Sequence, residues 1–162
     1  MCLLNPCRME IRFAEQKDLP QIIDLCKEHA EYEQADYERK NKSELLYKFL
    51  FGHNPCLKCL VVEQENLIVG YATFMKQFST WETEFYIYLD CLFLKENTRG
   101  NGVGRLLMEK IKSYAKNQKC SIIQWQTPDF NKKAIDFYRK IGVISKSKER
   151  FIWTIESGKA SR

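Results

Sequence analysis

Apolar positions along this chain recur at two periods, and the change from one to the other marks its elements. Glu10 to Ala14 alternates as a short edge strand. Leu19, Ile22, Ile23, Cys26 and Ala30 then share one helical face, and Asp18-Leu19-Pro20-Gln21 opens that helix with an N-cap residue and an early proline. Asn41-Lys42-Ser43-Glu44 starts a second helix, which runs to Phe51 and stops at Gly52 and Pro55. Cys59 to Val62 and Ile68 to Phe74 are β-rich and flank Glu65-Asn66, the pattern of a hairpin. Phe85 to Leu94 predicts the next strand, reading as an alternating strand from Tyr88. Val103, Leu106, Leu107, Ile111 and Tyr114 return to helical spacing and leave Glu109, Lys110 and Lys112 outside. Ser121 to Gln126 is a further strand, and Asn131 caps a helix carrying Ala134, Phe137, Tyr138 and Ile141 before Gly142. Val143–Ile144 and Phe151–Ile155 predict a last hairpin that closes the sheet. Strands follow one another in the middle and mix with helices at both ends. The fold class expected is α/β, one domain with a mixed, mostly antiparallel central sheet flanked by helices.

The turn between the Phe85–Leu94 strand and the next helix carries the first chemical signal. Arg99-Gly100-Asn101-Gly102-Val103-Gly104-Arg105 places three glycines where a helix begins. The first amides of a helix lack intrahelical acceptors and lie at the positive end of its dipole, so a turn free of side chains there is an anion cradle. The spacing excludes two phosphate-binding motifs. A P-loop needs Lys-Ser/Thr after its last glycine, and Gly104 is followed by Arg105 and Leu106. A dinucleotide fingerprint needs Gly-x-Gly-x-x-Gly early in a βαβ unit, and this turn reads Gly-x-Gly-x-Gly past mid-chain.

Charge sharpens that picture. Up to Asp90 there are fifteen acids against ten bases; from Cys91 onward there are sixteen bases against six acids. An anionic ligand on the C-terminal half and a cationic one on the N-terminal half follow. Glu28 to Glu38 holds five carboxylates and no Lys or Arg, which is either a solvated helix end or the lining of a pocket that prefers cations. The 162 residues suit a single domain, here bounded as 9–156, between an extension of residues 1–8 and a tail of 157–162. No apolar run reaches the ~18 residues of a membrane span. Seven cysteines, with no secretion signal ahead of them, read as reduced cytoplasmic thiols. Cys56, Cys59 and nearby His53 invite a zinc reading, but no second Cys/His pair follows to complete four ligands.

Arg99-x-x-Gly102-x-Gly104 after a strand, followed about thirty residues later by Asn131-x-x-Ala134-x-x-Phe137-Tyr138-x-x-x-Gly142, resembles the two core motifs of the GNAT family of N-acetyltransferases. Within that family, Tyr32-Glu33, His53-Asn54-Pro55 and Trp81 ahead of Tyr88-Leu89-Asp90 resemble the diamine (spermidine/spermine) and thialysine acetyltransferases, over about Ile11 to Ile155.

The resemblance implies acetyl-coenzyme A as the acyl donor and no metal. Its pyrophosphate would meet the amides of Gly100, Asn101, Gly102, Val103, Gly104 and Arg105, with Arg99 alongside. Its pantetheine arm would pair with the strand edge at Leu92, Phe93 and Leu94, with Asn131, Lys133 and Ala134 completing the donor site. Tyr138 would be the general acid that protonates the leaving thiolate. Relatives carry glutamate on the central strand as base; here Asp90, one methylene shorter, takes that position and serves as base or only orients the cation. Tyr32, Glu33, Trp81, Asp90, Gln126 and Thr127 would bind a small amine, the aromatic faces by cation-π contact. The resemblance also implies a homodimer acting on a small-molecule amine; neither a membrane nor a nucleic acid is expected as partner, since no apolar span and no nucleic-acid motif occurs. Alternatives are a protein or peptide N-acetyltransferase, a non-catalytic acyl-coenzyme A sensor, and nucleic-acid binding through the basic C-terminal half.

Overall fold

The computed structural model describes residues 9–37, 40–153 and 155. The extension 1–8 and the tail 157–162 lie outside them, as does Glu38 at the end of the acidic run. Five strands form one sheet in sequence order: β1 (Met9–Phe13), β2 (Lys58–Gln64), β3 (Leu67–Ser79), β4 (Glu84–Leu94) and β5 (Ile123–Gln124). The first four pair antiparallel, and β5 joins β4 in parallel. The helices are α1 (Leu19–Tyr32), α2 (Lys42–Phe51), α3 (Val103–Asn117) and α4 (Lys132–Lys140). The sheet is therefore mixed and flanked by helices, in the α/β class the alternation of periods leads to.

Each face of the sheet has its own core. On one side α1 and α2 bury Ile22, Leu25 and Leu50 against Val61, Tyr71 and Phe93. On the other, α3 buries Leu107 and Ile111 against Leu60, Val62, Phe74, Ile87 and Leu89, with Phe137 of α4 packed on its margin. Burying each such side chain contributes about 1.5–3 kcal/mol, enough to fix the register of every strand. The β2–β3 hairpin turns at Glu65 and Asn66, both left-handed (φ 51° and 66°), as the twist of a two-residue hairpin requires.

Asp18 stands at the N-cap of α1, but its carboxylate does not cap the helix. It takes bidentate hydrogen bonds from Arg12 Nη1 (2.7 Å) and Nη2 (2.9 Å) and a third from the Glu15 amide (2.7 Å). Arg12 also reaches Glu63 on β2 at 2.6 Å, so this cluster ties the start of α1 to the first two strands.

The end of the chain departs from the sequence expectation. Residues 143–153 and Ile155 carry no strand, and the strand expected over 121–126 shrinks to Ile123–Gln124. Among the described residues the sheet stops at β5, and these β-prone residues pair with no strand. Ile144, Phe151, Trp153 and Ile155 are accordingly 86%, 91%, 88% and 78% exposed.

Candidate active site

The glycine turn is built by two left-handed residues, Gly100 (φ 82°) and Gly102 (φ 77°), around which a β-carbon would meet nothing within 4 Å. Leu106 N donates to Gly102 O at 3.1 Å as the first bond of α3, which leaves the amides of Val103, Gly104 and Arg105 without helical acceptors. The turn is thus open and donor-rich, a shape that fits a pyrophosphate. Gly104 serves another purpose. A β-carbon there would lie 3.0 Å from the Phe137 ring, so its missing side chain lets α4 pack against α3.

β4 and β5 pair only at Ile87↔Ile123 and Tyr88↔Gln124. Beyond Tyr88 they diverge, and the β4 backbone through Leu92, Phe93 and Leu94 has no strand on that side among the described residues. Such an edge accepts an extended amide-bearing chain by strand-like pairing. Arg99 Nε donates to Leu94 O at 2.8 Å, and its guanidinium covers the rings of Tyr32 (4.5 Å) and Phe93 (5.4 Å). Arg99 therefore fastens the turn to the strand end. Asn131, buried, caps α4 by accepting the Ala134 amide and also accepts the Tyr32 hydroxyl at 3.3 Å. Lys133 is exposed on the first turn of α4.

A pocket of about 650 Å³ lies between α1, α2 and the sheet. Its walls are largely apolar, with Leu45, Leu46, Phe49, Leu57 and Met75, and its charges are Glu33, Asp90 and Lys42. Lys42 Nζ sits 3.7 Å over the Tyr37 ring. Two adjacent residues of β4, Asp90 and Cys91, both line this pocket, which regular alternation forbids. The register explains it: Thr73 faces Cys91 while Phe74 faces Leu89, so Asp90 is the extra residue of a β-bulge. The bulge also reverses the strand's faces. Ile87 and Leu89 pack toward α3, whereas Cys91 and Phe93 pack toward α1.

A line of polar groups crosses the pocket. Cys91 Sγ lies 3.7 Å from Asp90 Oδ2. The Tyr71 hydroxyl lies 3.0 Å from His29 Nδ1, with the thiols of Cys91 and Cys26 nearby, while His29 Nε2 lies 3.3 Å from Glu33 Oε1. Burial lowers the proton affinity of His29, with Glu33 partly restoring it, and burial pushes the Cys91 thiol up to about 12. Tyr71 is raised well above the usual phenol by burial.

Tyr138 packs against Trp125 and Phe137, with ring centroids at 5.1 Å and 5.2 Å. Burial pushes its phenol up to about 12, the Glu33 charge adds to this, and the Thr127 hydroxyl opposes it. A phenol so placed keeps its proton at neutral pH.

The structure brings Glu33 and Asp90 together in the pocket and sets Tyr32 beside Arg99, on its donor-side rim. Thr127 faces the Tyr138 hydroxyl, and Gln126 is exposed just beyond β5. Trp81 is not brought in: it is 92% exposed in the β3–β4 turn, roughly 20 Å along the strand from Asp90 at ~3.3 Å per residue. Of the remaining acids in the run from Glu28, Glu28 pairs with Lys95 at 3.1 Å and Glu31 and Asp36 face solvent. His29, Tyr71, Cys26 and Met75 escaped the sequence reading. The one available signal was His29 four residues before Glu33, which puts both on one face of α1. Cys56 is exposed and Cys59 buried, and no group of three or more His, Cys, Asp or Glu side chains among the described residues is arranged to hold a metal.

Residues 21–143 match the Acetyltransferase (GNAT) family. The chain belongs to the GNAT family of acetyltransferases. A relative from Sus scrofa, named thialysine N-epsilon-acetyltransferase, is 35% identical over 140 residues, covering 82% of each chain. The human spermidine/spermine N(1)-acetyltransferase-like protein 1 is 26% identical over 147 residues, 86% of this chain and 21% of that one. Among solved structures, an aminoglycoside acetyltransferase from an uncultured soil metagenomic sample has the same fold, with TM-score 0.78 at 22% identity over 91% of this chain and 97% of its own. No helix among the described residues is long and apolar enough to cross a membrane.

Proposed function

We propose that this acetyltransferase moves the acetyl group of acetyl-coenzyme A to a primary amine of a small polycation, a diamine, polyamine or lysine analogue, by direct attack. The observation that carries the reading is the pocket in which Glu33 and Asp90 converge within apolar walls, opening beside a strand edge that lacks a partner. Two carboxylates against one lysine favour a cation, and methylene-lined walls suit the carbon chain between its amines. The names of the thialysine and spermidine/spermine relatives agree with that class of acceptor.

The donor fits the residues present: open glycines, free first-turn amides and the exposed β4 edge match a pyrophosphate followed by an amide-bearing arm. Bound there, it would supply an activated thioester. Gly100 to Arg105 would hold its phosphates, with Lys133 adding charge. The β4 edge at Leu92 to Leu94 would orient the arm, and a strand amide would polarise the carbonyl. Asp90 binds and orients the ammonium group, and Tyr138 protonates the departing thiolate.

Coenzyme A thiol release, measured with spermidine, putrescine, thialysine, lysine and a lysine-bearing peptide, tests this. At least one small amine should accelerate release, and Tyr138→Phe should lower kcat by about 100-fold or more. Acetyl-coenzyme A binding with no acceleration by any small amine would sink the reading, and preference for the peptide would move it to protein acetylation.

The chain is also proposed to act as a homodimer. The β5 edge is free, and Ile144, Phe151, Trp153 and Ile155 are a β-prone apolar segment without cover in the single chain. The free thiols of Cys26, Cys56, Cys59, Cys91 and Cys120 suit a reducing, cytoplasmic setting.

A further inference from the structure

We propose that His29 is the proton acceptor of the amine pocket, taking the proton of the bound ammonium through the hydroxyl of Tyr71 and sharing it with Glu33. The inference rests on the amine-acetyltransferase reading of the same site.

Acetylating an ammonium group releases one net proton, because of the two that nitrogen loses one leaves with the thiol. Asp90 is poorly suited to remove it. A carboxylate paired with an ammonium favours the charged form and holds the proton on nitrogen. Another acceptor is needed, and the pocket contains an imidazole held in a defined state.

The charged and titratable groups around His29 are Glu33 and Cys26 on α1, Lys42 on α2, Tyr71 on β3, Asp90 and Cys91 on β4, and Arg99 after it. Glu33 Oε1 lies 3.3 Å from Nε2, and a carboxylate can only accept, so the neutral ring carries its proton on Nε2. Nδ1 then presents a lone pair to the Tyr71 hydroxyl at 3.0 Å, and that hydroxyl donates to it. The Tyr71 oxygen, with the thiols of Cys26 and Cys91 beside it, keeps a lone pair that can accept from a donor in the pocket. Cys91 Sγ bridges toward Asp90 at 3.7 Å. An ammonium held by Asp90 in the same pocket would be the donor to that oxygen. The bulge that turns Asp90 and Cys91 into one pocket makes this line continuous from β4 to α1.

In the step, an N–H bond of the ammonium breaks and an O–H bond forms on Tyr71. The proton already on Tyr71 passes to Nδ1. The products are a neutral amine with a free lone pair and an imidazolium paired with Glu33. No net charge is created in the pocket. Glu33, its side chain 31% exposed, then passes the proton to water. Burial keeps His29 neutral before the transfer, and Phe93, stacked on the ring at 5.1 Å, fixes its plane.

The test joins nuclear magnetic resonance of the imidazole nitrogens of the full chain, assigned with His29→Gln, to steady-state kinetics. The expected ring at pH 7 is the neutral Nε2–H tautomer, and Glu33→Gln moves its protonation to lower pH. His29→Gln keeps a hydrogen-bonding partner for Tyr71. It should still lower kcat by about 100-fold, leave the amine KM within about threefold and abolish the acid limb of kcat against pH. Tyr71→Phe should show a similar loss in kcat, and Glu33→Gln should shift the limb to lower pH. An Nδ1–H tautomer, or His29→Gln with wild-type kcat and limb, overturns the relay while wild-type turnover leaves the acetyltransferase reading standing. A wild-type enzyme with no amine-dependent thiol release overturns that reading and the relay with it.

Discussion

Replacing Asp18 by asparagine changes the charge of a buried hub and little of its shape. The carboxylate of Asp18, 2% exposed, accepts from Arg12 Nη1, Arg12 Nη2 and the Glu15 amide, all within 2.9 Å. A carboxamide offers one oxygen in place of two and turns an NH2 toward one of those donors. At least one donor is left unmatched, at about 1–3 kcal/mol, and a charge-assisted bond is lost with it. Arg12 keeps Glu63 at 2.6 Å, so its own charge stays paired and the total falls short of the roughly 3–5 kcal/mol of a broken buried pair. About 3 kcal/mol is expected, a drop in Tm of roughly 6–12 °C at this chain length. The pH dependence supplies the sharper criterion. Burial acts to raise the Asp18 carboxyl, but the Arg12 hydrogen bonds and the Glu15 amide outweigh it and hold it below the usual range. A depressed carboxyl contributes stability that is present above its unfolded value, about 3.9, and is lost as pH falls through the folded one. Urea denaturation of wild type and Asp18→Asn should therefore show a constant gap from pH 7 to pH 5 that closes below about pH 4. A gap under about 1 kcal/mol at pH 7, or one unchanged at pH 3, would refute the reasoning.

Gly102→Ala forces a left-handed alanine, at about 1–2 kcal/mol, and sets a methyl group in the open mouth of the turn; coenzyme A should bind at least about tenfold more weakly by calorimetry. Unchanged affinity would place the phosphates elsewhere. Trp81→Ala, far from the pocket in the β3–β4 turn, should leave kcat/KM for the preferred amine within about twofold, and a larger loss would mean that the turn reaches the acceptor. Trp153→Asp puts a charge into the uncovered apolar segment, so a chain that sediments as a dimer should become a monomer with its circular dichroism retained; a dimer that persists removes the segment from the interface.

The elements whose cause is local were legible in the sequence. The amphipathic faces of α1 and α3, the Glu65-Asn66 hairpin and the glycine turn before α3 each depend on residues a few positions apart. What the sequence did not show depends on partners far away in the chain. Gly104 reads like its neighbours, yet its role is set by Phe137 on another helix. The acceptor pocket joins His29, Tyr71 and Asp90 from three elements, and only Glu33 and Asp90 among its charges were named beforehand. Tyr88 to Leu94 reads as one uninterrupted strand, and nothing in it betrays the bulge, which arises from the match to β3 and not from β4 alone. The last hairpin failed for the complementary reason: Phe151 to Ile155 has strand propensity, but propensity is realised only against a neighbouring strand.

The bulge at Asp90 makes β4 two half-strands in opposite phase, and that separates two kinds of selection on its residues. Upstream, Ile87 and Leu89 answer to the α3 core; downstream, Leu92 and Leu94 answer to it again, while Asp90 belongs to the pocket and Cys91 is shared between the pocket and the α1-side core. A substitution at Asp90 can therefore change what the pocket holds without passing through the packing of the sheet, whereas one at Cys91 touches both. The loss of a single residue there is a different matter, since it would restore regular phase and carry Cys91 and Phe93 to the opposite core. The same short stretch is tolerant of exchange at Asp90 and intolerant of deletion, and variation in what the pocket holds among chains of this build is expected to be written in the identity of that side chain at constant strand length.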